Sequence, residues 1–406
     1  MKRSPARARA FARRRDRRVL LRSHPVLFAL LAATRGRAVR RLGGTVLVHG
    51  TGAYREALTR LPLDRTAAGT TGGAARDALA GSAAGGVLFD QDGSGHRADR
   101  RGLAEELGAA GVDRLRAVWQ PLLVRRLAPL AQGDAVDVVA LARELGGAVV
   151  CALLGSAADP VAVAEAAAEA AAASVRTHLP GPRRPGARAA SARTARTLQE
   201  LIADGLRPGA GCPAAPVSRS AATGHRPHGP HEPDGRHGPD GPDGALAAMV
   251  AVAAVNTTVA ALPRAVAWCA DAGLWEQAAD PVLLPKLADE LLRVTAASPL
   301  LPRVAADAGT VDGCPVRAGD RLLLVARHAA EAHRRDPDAL DPAGPGLAHL
   351  VFGAGPHACP GARLARVQLT DVLSALAPYR PVVTRARVDR RAALPGWRLL
   401  TVRAAA

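Results

Sequence analysis

Phe352-Gly-Ala-Gly-Pro-His-Ala-Cys-Pro-Gly361, running directly into Ala362-Arg-Leu-Ala-Arg366, is the stretch on which the fold turns. Gly353 and Gly355 permit a tight main-chain turn where side chains would collide with anything flat lying over the loop. Cys359 follows, just ahead of an amphipathic run, Ala362 to Leu376, whose spacing predicts a helix. A sulfur at a helix N-terminus meets free N–H groups and the positive end of the helix dipole, and both favour the thiolate. Gly361 lets that helix start come close to whatever the sulfur holds.

Moving upstream, Arg335-Asp-Pro337 precedes the cysteine loop, and before it lie Asp312-Gly-Cys-Pro-Val-Arg-Ala-Gly-Asp320 and Pro302-Arg303-Val-Ala. Gly309 to Val316 reads as a hairpin and Arg321 to Val325 as a strand. Earlier still, Glu290-Leu-Leu-Arg293 sets an acid and a base one helical turn apart. Gly244 to Leu262 is nearly all apolar and long enough to span a bilayer, but Asn256-Thr257-Thr258 interrupts it. A helix apolar on every side also suits the centre of a large globular protein, which is the reading adopted here.

Taken together, these segments resemble the cytochrome P450 family, of the soluble bacterial type. The cysteine loop matches the family's Phe-Gly-x-Gly-x-His-x-Cys-x-Gly at every fixed position, through Phe352, Gly353, Gly355, His357, Cys359 and Gly361. Glu290 and Arg293 match its Glu-x-x-Arg ion pair. The resemblance covers about 41–175 and 245–406. It implies a predominantly α-helical single domain with small β-sheets, holding haem b between the apolar helix and the cysteine loop. Cys359 would be the axial iron ligand, a thiolate that pushes electron density onto the metal. His96, Arg100, Arg303 and His357 match positions that pair with the haem propionates, groups whose burial needs cationic or hydrogen-bonding partners. Thr257 falls on the oxygen-positioning threonine, with Thr258 beside it.

Two departures from the family pattern bear on chemistry. The position before Thr257 is usually acidic, and here it is Asn256. A carboxylate exchanges protons with water, whereas an amide only holds water by hydrogen bonds. The family's further arginine after Arg-Asp-Pro is also missing, since 338–346 contains none.

The expected function is insertion of one oxygen atom from O₂ into an apolar small molecule, in specialised metabolism. Electrons would come from a separate ferredoxin and ferredoxin reductase, docking where Arg97, Arg100, Arg101, Arg363 and Arg366 add positive potential. Alternatives are a peroxide user, an oxidative-coupling enzyme or a catalytically degenerate haem-binding protein. Distal contacts are expected from 62–90, 165–206 and the apolar helix.

Bulk composition fits this picture. The 406 residues carry a net charge of +18 and few aromatics, so the core must be built from small aliphatic side chains on closely packed helices. Five cysteines without a CxxC spacing argue against a disulfide framework and for a reducing cytoplasm. The chain is expected to be a monomer without an integral membrane span. Residues 1–40 read as a disordered basic extension ahead of one domain over 41–406; nucleic-acid or anionic-lipid binding and a short signal-like run at 24–33 are weaker readings. About 207–244 is a flexible His/Pro/Gly-rich loop whose His225, His228, His231 and His237 lack the spacing of one helical face, leaving metal binding the weaker reading. Helices are expected at about 52–61, 98–108, 111–130, 135–154, 159–175, 264–278 and 281–296, a strand at 45–49, and closing strands near 381–385 and 397–402.

Overall fold

The computed structural model describes residues 4–64, 66–70, 72–73, 93–178, 186–206 and 242–405. The His/Pro/Gly-rich stretch from 207 to 241 lies outside the described residues, as does most of 66–86.

Helices dominate, as expected. In chain order they are α1 (Pro5–Ser23), α2 (Pro25–Thr34), α3 (Thr51–Thr59), α4 (Gly93–Glu106), α5 (Ala109–Ala131) and α6 (Val138–Leu154). There follow α7 (Pro160–His178), α8 (Ala187–Gly205), α9 (Pro242–Ala272), α10 (Trp275–Ala279), α11 (Leu284–Thr295) and α12 (Ala362–Leu376). Single helical turns lie at Ala326–Ala329 and Pro345–Ala348. The strands are β1 (Val39–Leu42), β2 (Thr45–Val48), β3 (Leu63–Asp64), β4 (Ala135–Asp137), β5 (Leu301–Ala305), β6 (Gly309–Val311), β7 (Cys314–Val316), β8 (Arg321–Leu324), β9 (Val382–Asp389) and β10 (Gly396–Arg403).

Among the described residues, three small sheets frame the helices. The largest has the order β1-β2-β8-β5-β3, with β2 and β8 parallel and paired from Thr45 opposite Arg321 to Val48 opposite Leu324. A second has the order β4-β10-β9, and β6 and β7 form the expected hairpin.

The apolar helix is the axis of the molecule. By length and composition it could cross a membrane, yet α1, α6, α7 and β10 pack against it, with Ala251, Val255, Ala265 and Val266 fully buried. Small side chains make this possible: Ala164, Ala167, Ala248, Ala251 and Val255 share one cluster with Val150 and Leu198, so α6, α7, α8 and α9 lie close together.

Four expectations need correction. Residues 5–34, expected as a disordered extension, form α1 and α2. Amphipathic packing explains why: Ala12, Val19 and Leu20 of α1 are buried while its arginines alternate outward. Buried Asp16 then anchors the helix, its Oδ1 accepting from Arg264 Nε at 2.8 Å and its Oδ2 lying 3.3 Å from Arg327 Nη1. The stretches expected as separate helices at 244–262 and 264–278 are continuous through Pro263, which sits inside α9. An interior proline costs a helix roughly 3 kcal/mol, and burial of both flanks outweighs it. Residues 135–137 are strand rather than helix, because they pair with β10. Residues 187–205, left without an element by the sequence pattern, form α8.

Candidate functional site

Ten of the residues singled out from sequence meet at one cavity of about 850 Å³, near the upper end of the roughly 300–1,000 Å³ usual for ligand pockets. Arg100, Asn256, Thr257, Thr258, Arg303, Phe352, Gly353, His357, Cys359 and Gly361 all line it. The remaining wall is overwhelmingly aliphatic, including Leu47, Leu103, Val149, Ala253 and Leu364. Leu27, Phe28 and Leu30 of α2 also line it, which sequence reasoning missed because that helix had been assigned to the basic extension.

The cysteine loop is held from within. Gly353 and Gly355 have φ of +81° and +71°, in the left-handed region that glycine tolerates without strain. The Cys359 N–H donates to Phe352 O at 2.7 Å, closing the turn. Cys359 is exposed to the cavity while its surroundings are protein, so burial pushes its thiol pKa up; the Gly361 N–H and the charge of Arg100 act in the opposite direction. Arg100 Nη2 also donates to Ala358 O at 2.5 Å, fixing the residue next to the cysteine. Gly355 is not brought to the cavity. It packs against α3, where an added Cβ would lie 3.4 Å from Leu58 O, so its role is to seat the loop. His96 is on α4, but its side chain lies outside the described residues, as does that of Arg97.

Across the cavity, Thr257 Oγ1 donates to Ala253 O at 2.8 Å, leaving its lone pairs as acceptors. Asn256 is bound more firmly than an exposed amide: Nδ2 donates to Val252 O at 2.8 Å and to Ala167 O of α7 at 3.1 Å. Only Oδ1 is left with which it could bind a water.

Glu290 and Arg293 lie away from the cavity, both fully buried. Arg293 Nε and Nη2 donate to the two Glu290 oxygens at 2.9 and 2.6 Å. Arg293 also reaches the carbonyls of Ala330, Arg335 and Asp336, while Glu290 Oε1 accepts from Ala343 N at 2.9 Å. That backbone N–H comes from the 338–346 segment, which contains no arginine. Beside this pair, Asp289 accepts two bonds from Arg366 of α12 at 2.5 and 2.8 Å. This tie between α11 and the helix after Cys359 was not read from the sequence, because a lone acid on an amphipathic helix carries no distinguishing signal. It also commits Arg366 internally, so of the expected docking arginines Arg101 and Arg363 are the ones described as exposed.

The cavity suits a flat, dianionic, sulfur-ligated group. The glycines at its floor leave a gap that a side chain would fill: a Cβ on Gly361 would lie 3.8 Å from Cys359 Sγ. Arg100, Arg303 and His357 supply donors at the wall.

Residues 275–376 match the family model described as Cytochrome P450. Over 110 residues the chain is 39% identical to the 20-oxo-5-O-mycaminosyltylactone 23-monooxygenase of Streptomyces fradiae, covering 27% of this chain and 26% of that protein. Over 108 residues it is 38% identical to the vitamin D3 dihydroxylase of Streptomyces griseolus, covering 26% and 27%. These matches thus span about a quarter of the curated relatives' length. Among solved structures, a mutant of P450 EryK in complex with erythromycin B superposes with a TM-score of 0.69 at 19% identity, over 94% of this chain and 97% of that one. The open form of EryK from S. erythraea gives 0.67 at 21% identity, over 94% and 96%. These two establish the fold across nearly the whole chain.

Proposed function

We propose that the chain is a member of the cytochrome P450 family and, within it, a haem-thiolate monooxygenase acting on an apolar small molecule. The observation that carries this reading is the sharing of one apolar cavity by Cys359 and Thr257. Haem b is the cofactor the family implies, and Cys359 would hold its iron, with Arg100, Arg303, His96 and His357 around the propionates. When bound, haem supplies activation of O₂ at a thiolate-ligated iron.

The chain's own residues divide the remaining work. The aliphatic part of the wall excludes water and binds substrate through buried apolar surface. Thr257, whose hydroxyl proton is directed to Ala253 O, offers its oxygen as acceptor to a water or substrate hydrogen in the cavity. Asn256 holds α9 against α7 beside it. The small side chains leave room for a bulky substrate, and likeness to the 20-oxo-5-O-mycaminosyltylactone 23-monooxygenase supports a substrate of specialised metabolism. Electrons would come from a ferredoxin and its reductase, with exposed Arg101 and Arg363 favouring an acidic partner.

The reduced, CO-bound absorption spectrum tests the cofactor. A red-shifted Soret band in the parent, lost in Cys359→Ala, is the expected result; a parent that takes up no haem would sink the reading. A second reading, a peroxide-driven enzyme, is favoured by the amide at 256, whose nitrogen is committed to main-chain carbonyls where a proton-relaying acid would serve O₂ chemistry. Product formed with hydrogen peroxide but not with O₂ and a reductase would select it.

A further inference from the structure

The loop after Arg335 carries Asp336, Asp338 and Asp341 and no basic residue through Gly346, yet it lies directly on the buried Glu290–Arg293 pair. Three carboxylates on one short loop repel each other; Arg335 beside the loop reaches Asp341, which leaves Asp336 and Asp338 without a local cation. For these two the compensating charge arrives from the other end of the chain. Arg13 of α1 grips Asp336 through two bonds, Nε at 2.8 Å and Nη2 at 2.5 Å, and Arg9 Nη2 donates to Asp338 at 2.7 Å. Gln277 of α10 completes the grip, donating to Asp338 at 2.9 Å and accepting from Ala339 N at 2.9 Å. Arg335 itself pairs with Asp341 at 2.9 Å.

We propose that α1 is an intramolecular clamp: Arg9 and Arg13 hold the 336–343 loop against Glu290 and Arg293, as positioning residues for the Cys359 loop. The proposal rests on the haem-thiolate reading only for its consequence at Cys359. The loop is held on two faces, by α1 and α10 on one and by α11 on the other. From α11 the constraint passes through Asp289 to Arg366 on α12, whose N-terminus follows Cys359. The carboxylates are the more enclosed partners, with side chains 13% and 18% exposed against 53% and 36% for Arg13 and Arg9. Removing the arginines therefore leaves two half-sheltered negative charges without their cations. Meanwhile α1 stays docked, because Asp16, Val19 and Leu20 anchor it independently.

The same reading gives the basic N-terminal segment a purpose other than binding nucleic acid. Arg9 and Arg13 face the protein's own acidic loop, and Arg15 lies 3.1 Å from Asp271. A cluster of arginines that the composition would assign to a phosphate backbone is thus partly committed internally.

Amide hydrogen exchange at Ala339 and Ala343, in parent and in the Arg9→Ala/Arg13→Ala double variant, tests the clamp without reference to haem. Each exposed pair changes an equilibrium by up to about fivefold, so exchange should quicken between about twofold and twentyfold in the double variant. It should quicken in the parent too as salt is raised, because screening weakens exposed pairs. The charge-exchanged variant Arg13→Asp/Asp336→Arg should recover protection that Arg13→Asp alone loses. Unchanged exchange in the double variant overturns the clamp. Transfer of haem to an acceptor apoprotein should quicken by a similar factor; faster amide exchange with unaltered haem transfer overturns the link to Cys359. A parent that binds no haem removes the cofactor reading and leaves the clamp to be judged on exchange alone.

Discussion

The amide nitrogen of Asn256 lies 3.1 Å from the carbonyl oxygen of Ala167, joining the central helix α9 to α7 one residue before Thr257. The same nitrogen donates to Val252 O one turn back, so the side chain is a tie between helices as well as part of the cavity wall. An acidic residue could not reproduce it, because an ionised carboxylate has no proton to give a carbonyl.

Asn256→Asp should therefore destabilise the fold at pH 7. Two carbonyls lose a donor and face a negative charge, a loss of about 1–3 kcal/mol. Urea unfolding of parent and variant reads it directly. A variant as stable as the parent at pH 7 would mean that the tie to Ala167 carries no weight.

Asp16 is the counter-ion shared by two buried guanidiniums, those of Arg264 and Arg327, which are 1% and 8% exposed. Asp16→Asn leaves both without a counter-charge, and breaking a buried pair in this way costs about 3–5 kcal/mol. Chemical denaturation should show the midpoint falling accordingly, while Arg17→Ala, on the exposed face of the same helix, should leave it within about 0.5 kcal/mol.

Glu290→Gln separates charge from geometry in the α11 pair. Glutamine still offers Ala343 an acceptor, but Arg293 loses its counter-ion in a fully buried site. Stability should drop by about 3–5 kcal/mol even though the Ala343 amide keeps a partner. Near-parental unfolding would show that the carbonyls of Ala330, Arg335 and Asp336 suffice for Arg293.

Acid should loosen the junction of β2 with the Ala326–Ala329 turn. Thr34 Oγ1 donates to Leu30 O, so it accepts from His49 Nε2; His49 Nδ1 is then the acceptor for His328 Nδ1, 2.8 Å away. Burial pushes His49 down to about 4. Burial, then the neighbouring His333, His49 and Arg327, push His328 down to about 2, and burial with Arg334 takes His333 to about 4. Unfolded imidazoles protonate near 6.5, so between about 6.5 and 4 the unfolded chain binds more protons than the folded one. This contribution is complete above the upper limit and declines as pH falls through the window. Melting temperature should drop steadily from pH 7 to pH 5, and less so in His333→Gln; a flat profile would contradict the tautomers assigned here.

How much of this was visible beforehand follows from how local each signal is. The cysteine loop, Glu290–Arg293, the β6–β7 hairpin and α12 are written in short consecutive stretches, where glycines, turn residues and helical period act on their neighbours. The docking of α1 was hidden because it depends on Arg264, Arg327, Asp336 and Asp338, each about 250 or more positions away in sequence. Composition alone made that helix look like a solvated tail. Asp289 and Ala343 were hidden for a related reason: neither residue type carries information until Arg366 and Glu290 are placed beside it. Pro263 misled in the opposite direction, since its local preference is real and long-range packing overrides it.

The reach of Arg9 to Asp338, 329 positions along the chain, has a consequence for how the protein is made. At roughly 5–20 residues per second, α1 leaves the ribosome on the order of 15 to 65 seconds before the acidic loop that it will grip. The α9 surface on which it docks is made earlier than the loop, since Arg264 lies 248 positions beyond Asp16, so the grip of Arg9 and Arg13 closes on a helix that already has a seat. That grip must be among the last contacts to form, so conditions that stall synthesis before the loop should leave α1 seated and the loop unheld.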